Sequence, residues 1–165
     1  MNNARDWIEK LKLQAHPEGG WFAETFRSTE STPKPHLPDR YSGDRTFYTS
    51  IYFLLEAGQI SALHRLQTDE VWHFHDGAPL EIAIIHPDGT LSTQTIGNAP
   101  LEGLFPQALV PRDTWFGARS LGDYTLVGCS MAPGFEFEDF EMAKRDKLVK
   151  EFPHCEDVIT QLTRL

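Results

Sequence analysis

Residues 58–77 read GQISALHRLQTDEVWHFHDG. Two runs within it, ISALH (60–64) and EVWHFH (70–75), carry β-branched and aromatic residues and are separated by polar ones, the pattern of two strands joined by a turn. Side chains alternate between the faces of a strand. Glu70, Trp72 and Phe74 therefore share one face, and Val71, His73 and His75 share the other. A carboxylate beside Trp and Phe suits neither an exposed surface nor a dry core, because an unpaired charge is costly to bury. A pocket resolves the conflict, since ligand sites are mostly apolar hollows with a few convergent polar groups.

The same habit continues on both sides. WFAETFR (21–27) and FYTSIYFLL (47–55) precede the stretch; LEIAIIH (80–86), TLSTQTI (90–96), PQALV (106–110), TWFGA (114–118) and YTLVGCSM (124–131) follow it. Pro87-Asp88-Gly89 is a hairpin signal. Many short strands with regular turn signals predict an all-β sandwich or barrel. Nothing between them has the period and length of a crossover helix, which excludes a parallel α/β sheet. Helices are confined to the ends. Trp7, Ile8 and Leu11 mark one over 3–13, capped by Asn2 or Asn3 and stopped by HPEGG (16–20). Phe140, Ala143, Leu148 and Phe152 mark a second, broken by Pro153, and Val158, Ile159 and Leu162 a third. Residues 28–45, with three prolines and no period, read as a long loop, and loops of that length are usually functional or mobile.

The chain has 165 residues, and at about 150 residues per domain this predicts one domain over 1–165. With 40% hydrophobic and 12% aromatic residues it is not a disordered chain. A formal net charge of −9 argues against nucleic acid or an anionic bilayer as a partner, while leaving room for a local basic pocket. No apolar run approaches the ~20 residues of a membrane span, and the charged start MNNARDWIEKLKLQ is no secretory signal. Two cysteines without close spacing, Cys129 and Cys155, read as reduced thiols, so a cytoplasmic location is expected. Cys129 lies in an apolar strand and reads as an inert core thiol.

The frame Gly58, His64, Glu70 and Gly77 resembles the first motif of the cupin superfamily, Gly-x5-His-x-His-x3-Glu-x6-Gly, except that Leu66 stands at the second His. The second cupin motif would fall in LVPRDTWFGA (109–118). Pro111 fits, but Asp113 replaces its Gly and Phe116 its His. HPEGGWFAETFRS, SALHRLQTDEVWHFHDG, VPRDTWFGA and GCSMAPGFEFEDFEMA together resemble the type-5 cupins, domains of unknown function. The resemblance implies a jelly-roll barrel with an internal pocket and a homodimer. Gly20, Phe22, Glu24 and Phe26 follow loosely the rhythm of the non-metal sugar-nucleotide 3,5-epimerases, whose base is a barrel His.

On this basis His64 and Glu70 are the catalytic candidates, His64 as a base and Glu70 as the group that orients it. The competing reading makes His64 a core histidine and Glu70 a surface carboxylate. Nearby carboxylate would raise the pKa of His64 and burial would lower it. Arg27 and Arg65 are candidates to hold an anionic group, Tyr52 a candidate acid, and Trp72, Phe74 and Trp115 candidate ligand contacts; core packing is the competing role for the rings. The pocket is expected to be walled by His64, Glu70, Trp72 and the 28–45 loop. The acidic set Glu136, Glu138, Asp139 and Glu141 reads as a solvated face capping the next helix.

Because Leu66 and Phe116 occupy two ligand positions, no cofactor is expected. The alternative is a divalent metal held by His64, Glu70 and His75, although His73-x-His75 is more simply a pair on the sheet surface. Three functions follow in order: a metal-independent isomerase or epimerase on a sugar-like or carbonyl compound, a binding protein for a small polar molecule, and a metal-dependent cupin. A homodimer is expected through the edge of strand 21–26.

Overall fold

A computed structural model of the chain describes residues 3–164. Its first helix, α1 (Ala4–Lys10), begins at Asn3, whose side chain accepts the Asp6 amide while Asp6 accepts the Asn3 amide in return. This capping box satisfies two of the donors that a helix start leaves open.

The strands are β1 (Gln14–Ala15), β2 (Trp21–Arg27), β3 (Ser31–Thr32), β4 (Arg45–Thr46), β5 (Thr49–Glu56), β6 (Ile60–Leu66), β7 (Glu70–Gly77), β8 (Leu80–Ile85), β9 (Leu91–Ile96), β10 (Gln107–Val110), β11 (Trp115–Ser120), β12 (Tyr124–Met131) and β13 (Phe140–Met142). They form an antiparallel six-stranded sheet in the order β1-β2-β5-β12-β7-β10 and a five-stranded sheet in the order β13-β6-β11-β8-β9, with β3 and β4 paired apart. The predicted strands are all present. The C-terminal helices are shorter than the sequence pattern suggests: α2 is Arg145–Glu151 and α3 is Glu156–Gln161. Phe140 is not helical but pairs with Leu66 in β13.

The two sheets face each other across a core of Phe53, Leu55, Trp72, Ile82, Ile84, Phe116 and their neighbours. Both sheets are also covered on the outside. Leu54 and Leu126 of the six-stranded sheet pack beneath Trp7, Ile8 and Leu11 of the N-terminal segment. Leu63, Ile85 and Trp115 of the five-stranded sheet pack beneath Leu148, Ile159 and Leu162. No helix among the described residues is long and apolar enough to cross a membrane.

The 28–45 loop is pinned at Arg45 and Tyr41. The Arg45 guanidinium donates from Nε and Nη2 to the two Asp139 oxygens, both contacts 2.7 Å, and Arg45 is only 2% exposed. The Tyr41 hydroxyl meets Thr68 Oγ1 at 2.7 Å. Asp139 is therefore buried, not part of a solvated face, and its neighbours pair as well: Glu136 with Arg27, Glu138 with Arg45, Glu141 with Arg65. None of the four caps α2, which has no side-chain cap.

Candidate functional site

The inward faces of β5, β6, β7 and β12 enclose one end of the barrel. A cavity of about 90 Å³ lies there, lined by His16, Glu18, His64, Glu70 and Trp72 among others. A water molecule needs roughly 10–15 Å³ by the same measure, so a small molecule fits. Phe135, Phe137 and Phe140 wall one side, and Glu24 and Arg27 also line it.

Two of the acid-base groups come from a turn rather than a strand. Gly19 (φ 115°) and Gly20 (φ 71°) have the left-handed backbone that favours glycine. A Cβ on Gly19 would overlap the Ile60 carbonyl, and one on Gly20 would lie 2.6 Å from the Leu54 carbonyl. The HPEGG turn thus presses its backbone against the sheets and places Glu18 inside, 6% exposed. The Ala62 amide donates to the Glu18 carbonyl at 2.8 Å, which fastens the turn to β6.

His64 Nδ1 lies 2.8 Å from the Ala62 carbonyl, which can only accept, so Nδ1 carries a proton. Its Nε2 faces Glu18 Oε2 at 3.2 Å. Burial holds the His64 pKa down to about 4 and raises that of Glu18. Ser61 Oγ donates to Glu18 Oε1 at 2.8 Å. The Glu18 amide donates to His16 Nδ1 at 3.2 Å, which leaves the proton of the neutral His16 ring on Nε2. Burial lowers the His16 pKa too.

Glu70 is 8% exposed. Its Oε2 accepts from Trp72 Nε1 at 2.7 Å, and Oε1 has no hydrogen-bond partner among the described residues. Burial, then the nearby Glu18, pushes the Glu70 pKa up to about 8. Cys129 also lines the cavity, and burial keeps it a thiol.

The structure brings His64, Glu70, Trp72 and Arg27 to one cavity. It corrects the pairing: the carboxyl group at His64 is that of Glu18, not Glu70. It also corrects the wall, which is the 135–140 segment rather than the 28–45 loop. Four of the expected contacts lie elsewhere. Tyr52 and Trp115 point outward into the layers beneath α1 and beneath α2 and α3. Arg65 pairs with Glu141 at 2.6 Å and stacks over the Trp115 ring. Phe74 packs on the central core without lining the cavity. His16 and Glu18 are the residues that strand periodicity misses, because they belong to a turn; a charged residue between Pro and two glycines, directly before an aromatic strand, was the available signal.

The proposed metal ligands His64, Glu70 and His75 do not come together. His75 is exposed on the outer face, beside Tyr52. Phe116, at the position of a ligand histidine, instead packs against His64 with ring centroids 4.1 Å apart. Among the described residues no group of three His, Cys, Asp or Glu side chains is placed to hold a metal ion.

Two facing antiparallel sheets, a cavity at one end and acid-base groups projecting into it define a cupin barrel. The model of the Cupin superfamily (DUF985) family matches residues 5–143, and the chain belongs to that family. A protein of Shewanella oneidensis, solved by X-ray crystallography, is 39% identical, with 99% of each chain covered and a TM-score of 0.89. A hypothetical protein of Leishmania major is 32% identical, with 99% of this chain and 100% of that one covered and a TM-score of 0.91. An uncharacterized protein of Saccharomyces cerevisiae is 25% identical over 153 residues, 87% of this chain and 76% of that protein. Oxalate decarboxylase from Bacillus subtilis shares the fold at 14% identity and a TM-score of 0.55, over 90% of this chain and 36% of that one.

Proposed function

We propose that the cavity binds a small polar molecule and that the protein acts on it as a metal-independent isomerase, with Glu70 as the proton-transfer group. The observation that carries this reading is a carboxyl group in a ring-lined hollow, tied by one oxygen to Trp72, with the other free of protein partners among the described residues. A pKa of about 8 keeps both protonation states accessible near neutrality, which suits general acid-base work. In its ionised form Glu70 takes a proton from a carbon beside a carbonyl and returns it to the neighbouring atom, so the carboxylate is regenerated. The Nε2–H of neutral His16 supplies a hydrogen bond to the oxygen on which charge develops. Ser61 on Glu18 and the Ala62 carbonyl on His64 hold that end of the cavity in one arrangement.

The test begins with mass spectrometry of whatever small molecule stays bound through purification. That molecule is then returned to the protein in heavy water and followed by NMR. Deuterium incorporation by the wild type, lost in Glu70→Gln while binding persists, is the expected result. A bound molecule recovered unchanged and without deuterium overturns the isomerase and leaves a binding protein without chemistry. That second reading draws on the fact that Glu18 Oε1 is already engaged by Ser61 and His64 Nδ1 by the Ala62 carbonyl, while Glu18 and His64 sit against each other at 3.2 Å. The homodimer also remains a proposal: β1 covers only Trp21 and Phe22 of β2, leaving an open edge over 23–27. Light scattering of the purified protein decides it.

A further inference from the structure

Carboxyl groups outnumber cations around the cavity. Glu18, Glu24 and Glu70 line it against one guanidinium, that of Arg27. Arg27 is already committed: Nη1 donates to Glu136 at 2.8 Å, Nη2 to Glu24 and to the Phe135 carbonyl at 3.0 Å each. The groups that face Glu70 from the surrounding elements offer no fixed cation either. They are His16 and Glu18 from the turn, His64 from β6 and Cys129 from β12, and burial favours the neutral form of both imidazoles; Arg164, whose charge is felt at His16 and Glu18, donates to the Pro17 carbonyl and does not line the cavity. An anionic ligand would find no free positive partner among the lining residues, and burying an unpaired negative charge would be costly.

The rings point the same way. Phe135, Phe137 and Phe140 form a corner with centroids 4.9, 6.1 and 6.1 Å apart and planes turned 81°, 72° and 79° from one another. The three rings meet edge to face, and all of them line the same cavity as Glu70. Ring faces attract cations, and small organic ammonium groups are the guests that such corners favour.

We infer that the ligand of this cavity carries an organic ammonium group, recognised by the Glu70 carboxylate and by the Phe135, Phe137 and Phe140 rings. The inference rests on reading the cavity as the ligand site. An ammonium beside Glu70 favours its ionised form, so the bound molecule itself converts Glu70 from an acid into a base and expels the proton to solvent. The charge of the ligand then selects the state of the enzyme that can act on it.

The test is isothermal titration of the whole protein with three probes of one shape: choline, its neutral isostere with a tert-butyl group in place of the trimethylammonium, and the corresponding carboxylate. Choline is expected to bind at least tenfold more tightly than the neutral probe, and the carboxylate more weakly than either. Its affinity should rise about tenfold per pH unit from pH 6 to 8 and level off above, and titrations at pH 7 in buffers of different ionisation heat should register a released proton. Glu70→Gln should abolish the proton release and leave the neutral probe unchanged, and Phe137→Ala, at an exposed ring, should weaken choline about three- to fivefold. Equal or tighter binding of the neutral or anionic probe overturns the inference while the cavity stands as a ligand site. Absence of binding by all three overturns both.

Discussion

Two carboxylates are buried in this molecule under opposite conditions. Asp139 meets the guanidinium of Arg45 through two short hydrogen bonds, 94 residues away in the chain, and both side chains are almost fully enclosed. Glu70 is nearly as deep and has only the Trp72 indole. A carboxylate with a matched bidentate partner stays charged and joins two segments. A carboxylate without one keeps its proton and retains a reactive oxygen. The first serves the architecture and the second the chemistry.

Breaking the paired site should have the largest effect. Arg45→Met leaves Asp139 buried and unpaired, and the expected loss is about 3–5 kcal/mol in denaturant unfolding. Next, Gly20→Ala forces a side chain into left-handed backbone, at about 1–2 kcal/mol, and presses on the Leu54 carbonyl besides. The same assay should show the loss, and ligand retention should fall with it as Glu18 is displaced.

The unpaired site should reveal itself in the pH dependence of stability. The folded pKa of Glu70 is raised, so the folded state holds a proton that the unfolded state gives up. Stability from this group is full below about pH 4.5 and is lost as pH rises towards about 8. His64, lowered to about 4, acts oppositely, removing stability as pH falls below about 6.5. Between pH 6.5 and 7.5 Glu70 outweighs His64, Glu18 adds in the same direction, and the wild type should lose stability, with up to about 1.4 kcal/mol of the loss per unit from Glu70. Glu70→Gln should flatten the slope; an unchanged slope removes the distinction between the two carboxylates. Smaller still, Arg27→Ala breaks half-exposed ion pairs with Glu24 and Glu136 and should cost under about 1 kcal/mol, declining in high salt. Smallest of all, His75→Ala should change neither ligand retention nor metal content by elemental analysis, since it faces away from the cavity.

Strand parity made one half of the site readable. Glu70 and Trp72 alternate with Val71 and His73 on β7, so their shared face was evident, and the cupin-like frame added His64. Parity failed on β5 and β11 because both faces of those strands are apolar. Tyr52 and Leu54 alternate with Phe53 and Leu55, and Trp115 precedes Phe116; helices cover the outside, so hydrophobicity does not say which face is inward. Glu18 and His16 were missed for a different reason. HPEGG was read only as a stop, whereas its two glycines turn the preceding carboxyl group into the barrel. Arg45 and Asp139 could not be matched from sequence, since nothing local in either segment specifies the other.

The position of β12 has a consequence for synthesis of the chain. It lies between β5 and β7 and pairs with both along nearly its full length. Until residues 124–131 leave the ribosome, two long strands made much earlier have unsatisfied backbone edges and bare aromatic faces. The nascent protein passes through a stage open to association with its own copies, and shielding by chaperones matters most there.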